Sequence, residues 1–181
     1  KLGAWCAAFC ACLIVARIEW IPYTPDLSRW HDERRAAYER ANRSADAVAD
    51  LTAWLTRHPD DKYGHYNLGV IQHDSGDRRG AMAAFQKALE LDPEYSEAHY
   101  NLGLAYLAEN RPVEAERELR ARLKTVPDDA DALFNLGAAL AAQDKPAEAA
   151  EAFAKMIELN PSHALAQFNL GFELSRTGDL E

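Results

Sequence analysis

Four asparagines, Asn67, Asn101, Asn135 and Asn169, stand 34 residues apart. A carboxamide offers both a donor and an acceptor, so it can pair with a peptide group whatever side chain that peptide carries. Each asparagine follows an aromatic ring (Tyr66, Tyr100, Phe134, Phe168) and precedes Leu-Gly. The chemistry open to them is backbone recognition; the alternative is that each amide satisfies backbone of its own chain. Covalent chemistry is not legible elsewhere. There is no G-x-S-x-G, H-E-x-x-H or Gly-rich phosphate loop. The six histidines (31, 58, 65, 73, 99, 163) lack metal spacing on one helix, and His65 and His99 read as packing or edge residues. Cys6, Cys10 and Cys12 form neither C-x-x-C nor a disulfide framework. They read as small apolar residues of a buried helix, with lipidation of Cys6 as the alternative. No catalytic residue, metal or cofactor is expected.

The elements that hold these residues follow from the same period. Ala47, Ala81, Ala115 and Ala149 keep it, as do Pro59, Pro93, Pro127 and Pro161. A fixed repeat of this length marks a solenoid. Counted from Lys62, Leu68-Gly69 fall at places 7 and 8, Ala81 at 20, Phe85 at 24, Ala88 at 27 and Pro93 at 32. Over residues 62–178 this pattern resembles the tetratricopeptide repeat (TPR). The departures are Leu119 for Phe, Arg122 and Met156 for the second Ala, and His65, His99, Leu133 and Gln167 where the family has Trp.

The resemblance implies an all-α, right-handed α-solenoid of antiparallel helix pairs. Gly at 8 and Ala at 20 would sit where the two helices cross, letting their axes approach to about 8–10 Å. Ser75-Gly76-Asp77, Asn110-Arg111-Pro112, Asp144-Lys145-Pro146 and Thr177-Gly178-Asp179 read as the turns within pairs. Pro112 and Pro146 suit a first helical turn. Gly80, at place 19, is expected to be exposed. In this family the first helices line a concave groove, which here would present the four asparagines, the four rings before them, Leu104 and Phe172 to an extended peptide. A C-terminal carboxylate clamp needs Lys and Arg in the groove, and only Arg176 is expected there.

Net charge is −9, and residues 62–181 hold 12 basic against 20 acidic residues, or −8. A nucleic-acid partner is excluded, since phosphate neutralisation needs a basic stripe. Residues 2–16 carry no charge, and Trp5, Trp20 and Tyr23 flank an apolar stretch over 2–21. At 1.5 Å per residue it would span about 30 Å, so 1–25 reads as a single transmembrane anchor and linker. The arginines at 29, 34, 35, 40 and 43 favour the cytoplasm for the repeats. Residues 26–61 read as a helical linker or degenerate capping repeat with Arg34 and Arg35 at places 7 and 8, breaking near Asn42, with Ser44 capping the second piece. Residues 62–181 form the repeat domain (62–95, 96–129, 130–163 and a partial 164–181). Leu170 and Leu174 on its last helix call for a further helix, and the start at Lys1 points to a longer protein.

The leading functional expectation is a membrane-tethered scaffold or adaptor with a protein partner, acting as a subunit or assembly factor of a multisubunit membrane complex. The alternatives are the non-catalytic part of a larger membrane enzyme, such as a glycosyltransferase, and an accessory subunit whose groove stays empty.

Overall fold

The computed structural model describes residues 27–40 and 43–178, and their side chains apart from those of 27–30 and 39–40. The expected span over 2–21 and the three cysteines lie outside these residues. No described helix is long and apolar enough to cross a membrane. The described residues form nine α-helices and no strand. They are α1 (Leu27–Arg40), α2 (Ser44–Arg57), α3 (Lys62–Asp74), α4 (Arg78–Leu91), α5 (Ser96–Ala108), α6 (Pro112–Thr125), α7 (Ala130–Ala141), α8 (Pro146–Leu159) and α9 (Ala164–Thr177).

From α3 onward each helix packs on its neighbour in the chain, and first helices also touch first helices, α3 on α5 and α5 on α7. The core is therefore layered, running through Phe85, Leu102, Tyr106, Leu119, Leu136, Leu140 and Phe153 rather than round one centre. Glycine sets the closeness of each pair. A Cβ on Gly69 would lie 2.6 Å from the Phe85 ring, on Gly137 2.6 Å from the Phe153 ring, and on Gly103 2.9 Å from Leu119 Cγ. The smaller Leu119 thus fills the same role as the phenylalanines. Gly171 has nothing within 4 Å, because no described helix follows α9. Gly80 departs from expectation. It is half-buried, and a Cβ there would meet the Asp77 carboxylate, which caps α4 by accepting from the Gly80 N–H, and the Gln72 amide.

The turns share one backbone device. Gly76, Asn110, Asp144 and Gly178, at place 15 of successive units, all take positive φ, between 55° and 86°. Glycine adopts this conformation freely, and Asn and Asp are the side chains that tolerate it best. Pro112 and Pro146 occupy the first turns of α6 and α8, where a missing N–H leaves no bond unmade.

Residues 27–57 make a helix pair in which arginines stand where the tight crossing would be. Arg34 instead reaches Asp50 on α2, and α1 packs on both α2 and α3. The α2 cap is Arg43 rather than Ser44; Arg43 makes no side-chain cap bond and pairs with Asp46 in the first turn. One carboxylate ties this pair to the repeats. Asp61 caps α3 by accepting from the Gly64 N–H at 3.0 Å, takes the Trp54 indole N–H at 2.7 Å and lies 2.6 Å from His31 Nε2. Burial opposes its charge, but these bonds together hold its carboxyl below the usual range.

Two outcomes follow from this packing. Gly137→Ala should lose about 1–3 kcal/mol through overpacking, while Gly171→Ala should hold or gain up to about 1 kcal/mol from helix propensity. Urea unfolding compares them, and equal midpoint shifts would contradict the crossing geometry. Asp61→Ala should cost about 2–4 kcal/mol by removing a cap and stranding buried donors. Hydrogen exchange should then quicken in α1 and early α3 and stay unchanged in α7; uniform quickening would contradict a local tie.

Candidate peptide-binding groove

The asparagines project from corresponding turns of α3, α5, α7 and α9. Asn67 Nδ2 donates to the Tyr63 carbonyl at 3.1 Å, Asn101 to that of Glu97 at 3.2 Å, and Asn135 to that of Asp131 at 2.8 Å. Each uses the carbonyl four residues earlier, which fixes the amide against its own helix. Asn101 Nδ2 also donates to the Tyr66 hydroxyl at 3.0 Å, bridging two first helices. The amide oxygens are uncommitted. Those of Asn101 and Asn135 accept from no described group, and the buried Asn67 oxygen has no partner. Asn67 itself is only 2% exposed.

The rings divide along the row. Tyr66 lies against Phe85 and Tyr95, at centroid distances of 5.8 and 5.1 Å. Phe134 contacts Phe153 and His163 in the same way, at 5.7 and 5.1 Å. Together with Tyr100 they pack on the core and seal the joints between units. Leu104 is half-buried beside them. At the far end Phe168 and Phe172 stand 69% and 54% exposed.

The first-helix face is hollowed at its amino-terminal end. A cavity of about 480 Å³ is lined by Asp32, Arg35, Lys62, Tyr63, Tyr66, Tyr95 and Glu97. Two cations therefore join Arg176, beyond what the sequence suggested, but all three are engaged. Arg35 lies 3.5 Å from Asp32, Lys62 is paired with Asp92, and Arg176 with Glu173 and Asp144. No described cluster of His, Cys, Asp and Glu is placed to hold a metal.

The tetratricopeptide repeat pattern matches residues 36–95, 72–140 and 130–163, which together cover the chain from 36 to 163. The chain belongs to the tetratricopeptide repeat family. No curated protein sequence matches it. Solved structures do. MamA (residues 41 to the end) from Desulfovibrio magneticus RS-1 is 26% identical, with a TM-score of 0.75 over 84% of this chain and 86% of that one. A MamA RS-1 double mutant gives 26% identity and a TM-score of 0.77 over 84% and 85%. YrrB, described as a TPR protein with an unusual peptide-binding site, is 23% identical with a TM-score of 0.78 over 90% and 84%. At that identity the likeness to YrrB is one of fold.

Place 4 of the TPR unit, Trp in the family pattern, has a different use here. His65 Nε2 meets the Pro59 carbonyl at 2.9 Å, His99 Nε2 the Pro93 carbonyl at 2.9 Å, and Gln167 Nε2 the Pro161 carbonyl at 2.7 Å. The side chain ties down the turn six residues earlier, and the constant spacing to proline was the signal. Leu133 breaks the series. His99 goes further, because its Nδ1 lies 2.7 Å from the Glu118 carboxylate. A carbonyl and a carboxylate both only accept, so the doubly protonated ring satisfies both. Burial works against that charge, but the Glu118 and Pro93 bonds outweigh it and raise the His99 pKa. Glu118, bonded also by Arg117 and only 4% exposed, is held below the carboxylate range despite its burial. Glu90 shares the surrounding cleft with these groups, and Asp92 lies close enough to feel the imidazole charge.

The sign of the pH effect follows. The His99 contribution is complete below the unfolded imidazole value of about 6.5 and lost as pH rises through the raised folded value. The Glu118 contribution is lost in the opposite direction, as acid protonates it below the carboxylate range. Between pH 6 and 8.5 the protein should therefore lose more thermal stability than its His99→Gln variant, which keeps a donor for Pro93 as Gln167 does for Pro161. Thermal melts at both pH values check this, and parallel losses would contradict the charged tie.

Proposed function

We propose that this protein is a non-enzymatic scaffold, tethered to a membrane through residues 2–21, that holds a protein partner by an extended segment laid along the first helices. In this role it serves as a subunit or assembly factor of a membrane complex. The observation that carries the reading is the pair Asn101 and Asn135, one unit apart, whose amide nitrogens are anchored to their own helices and whose oxygens accept from no described group. A fixed, unpaired carbonyl is a ready acceptor for the N–H of an extended chain, and repetition by helix suits a ligand that repeats by peptide unit. Tyr100 and Phe134 add partly buried ring area beside it. The peptide-binding site described for YrrB, a protein of the same fold, supports the same use of this one.

A photo-crosslinking residue at Leu104, in native membranes, should capture a partner that the same residue at Lys155, on a second helix, does not. Adding Asn101→Ala and Asn135→Ala should weaken that partner by about tenfold to a hundredfold, since each lost hydrogen bond is worth about 0.5–1.5 kcal/mol. Circular dichroism should show an intact fold. Undiminished binding by the folded variant would assign the asparagines to structure alone.

A further inference from the structure

We propose that the cavity at the amino-terminal end of the groove receives a lysine or arginine side chain, so that the bound segment is a basic extended peptide. This rests on the groove reading above and adds the chemical class of the partner.

Three tyrosines wall the cavity: Tyr63 meets Tyr95 edge to face at 5.7 Å and 79°, and Tyr66 lies tilted against Tyr95 at 5.1 Å and 53°. Aromatic faces carry negative potential and attract cations. These rings already hold one. The Lys62 ammonium lies 4.9 Å from the Tyr63 centroid and 5.5 Å from that of Tyr95.

The local charge balance settles the sign of the guest. The two cations of the wall have carboxylates of their own, Arg35 with Asp32 and Lys62 with Asp92. Glu97 is left over. Its nearest cation, Arg122, is 3.9 Å away and is bonded to Asp129 at 2.7 Å. Burial pushes the Tyr66 and Tyr95 hydroxyls up and the Glu97 and Asp32 charges add to it, while at Tyr66 the Arg35 charge and the Asn101 bond act the other way. One unit further along, Asp131 repeats the position of Glu97, is exposed, makes no ion pair with a described residue, and acts on Tyr100 in the same way. A cationic side chain entering the cavity gains a ring face and a carboxylate that is only weakly paired. An acidic one meets both as repulsion, because the cations that could receive it are taken.

The test selects a random dodecapeptide library displayed on phage against the full chain in detergent micelles. Fluorescence anisotropy then follows the selected peptides and versions with arginine replaced by citrulline, which keeps the shape and removes the charge. The expected result is a fixed lysine or arginine among selected peptides. Citrulline should weaken binding about tenfold in the wild type and hardly at all in Glu97→Gln, a coupling that only direct proximity produces. Asp32→Asn serves as a second, equally exposed variant. Peptides that need Asn101 and Asn135 but fix no basic residue, or whose citrulline loss is the same in every variant, would overturn this inference and leave the groove reading standing. No enrichment, or peptides indifferent to Asn101→Ala with Asn135→Ala, would overturn both.

Discussion

Everything in this molecule depends on how closely two helices can approach at places 8 and 24 of each unit. A glycine without Cβ admits the ring of a phenylalanine, or the branch of Leu119, against the opposing backbone. That contact fixes the angle within a pair, and the repeated pair fixes the solenoid. Its effect shows most clearly where it is missing. In the pair at 27–57 Arg35 stands at place 8 while place 24 is the buried Leu51, and α1 and α2 are joined by an ion pair while α1 also leans on the next unit.

Joints between units carry polar ties as well as the apolar layer that runs through them. Asp61 gathers three donors at the first joint, and His99 and Glu118 bind the turn at Pro93 to α6. Glu116, 7% exposed, collects Gln143 and Lys145 from the α7–α8 turn at 2.7 and 2.8 Å and Arg120 from its own helix at 2.5 Å. Burial would raise the Glu116 carboxyl, yet these partners hold it below the usual range. Each carboxylate is nearly enclosed and well supplied with donors, the condition under which a buried charge is tolerable. Such ties set unit against unit directionally, where layered aliphatic contacts alone would let them slide.

The groove inherits its character from both kinds of contact. Sealing the joints engages Tyr66 and Phe134 with Tyr95 and His163, so those rings are part wall and part mortar. Asn101 and Asn135 spend their nitrogens on their own helices and keep their oxygens. The first-helix surface has thus been made stiff by its own side chains, a condition that would lower the ordering cost of an extended chain laid on it.

The 34-residue period determined the helix pairs, their crossings and the positions of their turns, because each depends on residue size or backbone freedom at one place. Gly at 8, Pro at the start of α6 and α8, and the Gly, Asn, Asp, Gly series at 15 carry that information locally. The candidate groove residues were legible in the same register. Which of them are spoken for was not, since that depends on partners far off in the chain: Tyr66 with Asn101, His99 with Glu118, Lys62 with Asp92. Gly80 read as an exposed place and proved to lie under the Asp77 cap and Gln72. The hollow between Asp32, Tyr66 and Glu97 exists only once α1 is set against α3 and α5, residues 65 positions apart brought to one surface. Periodicity reports what every unit must share; the tertiary structure decided where charge is left unpaired, because pairing is a property of neighbours in space.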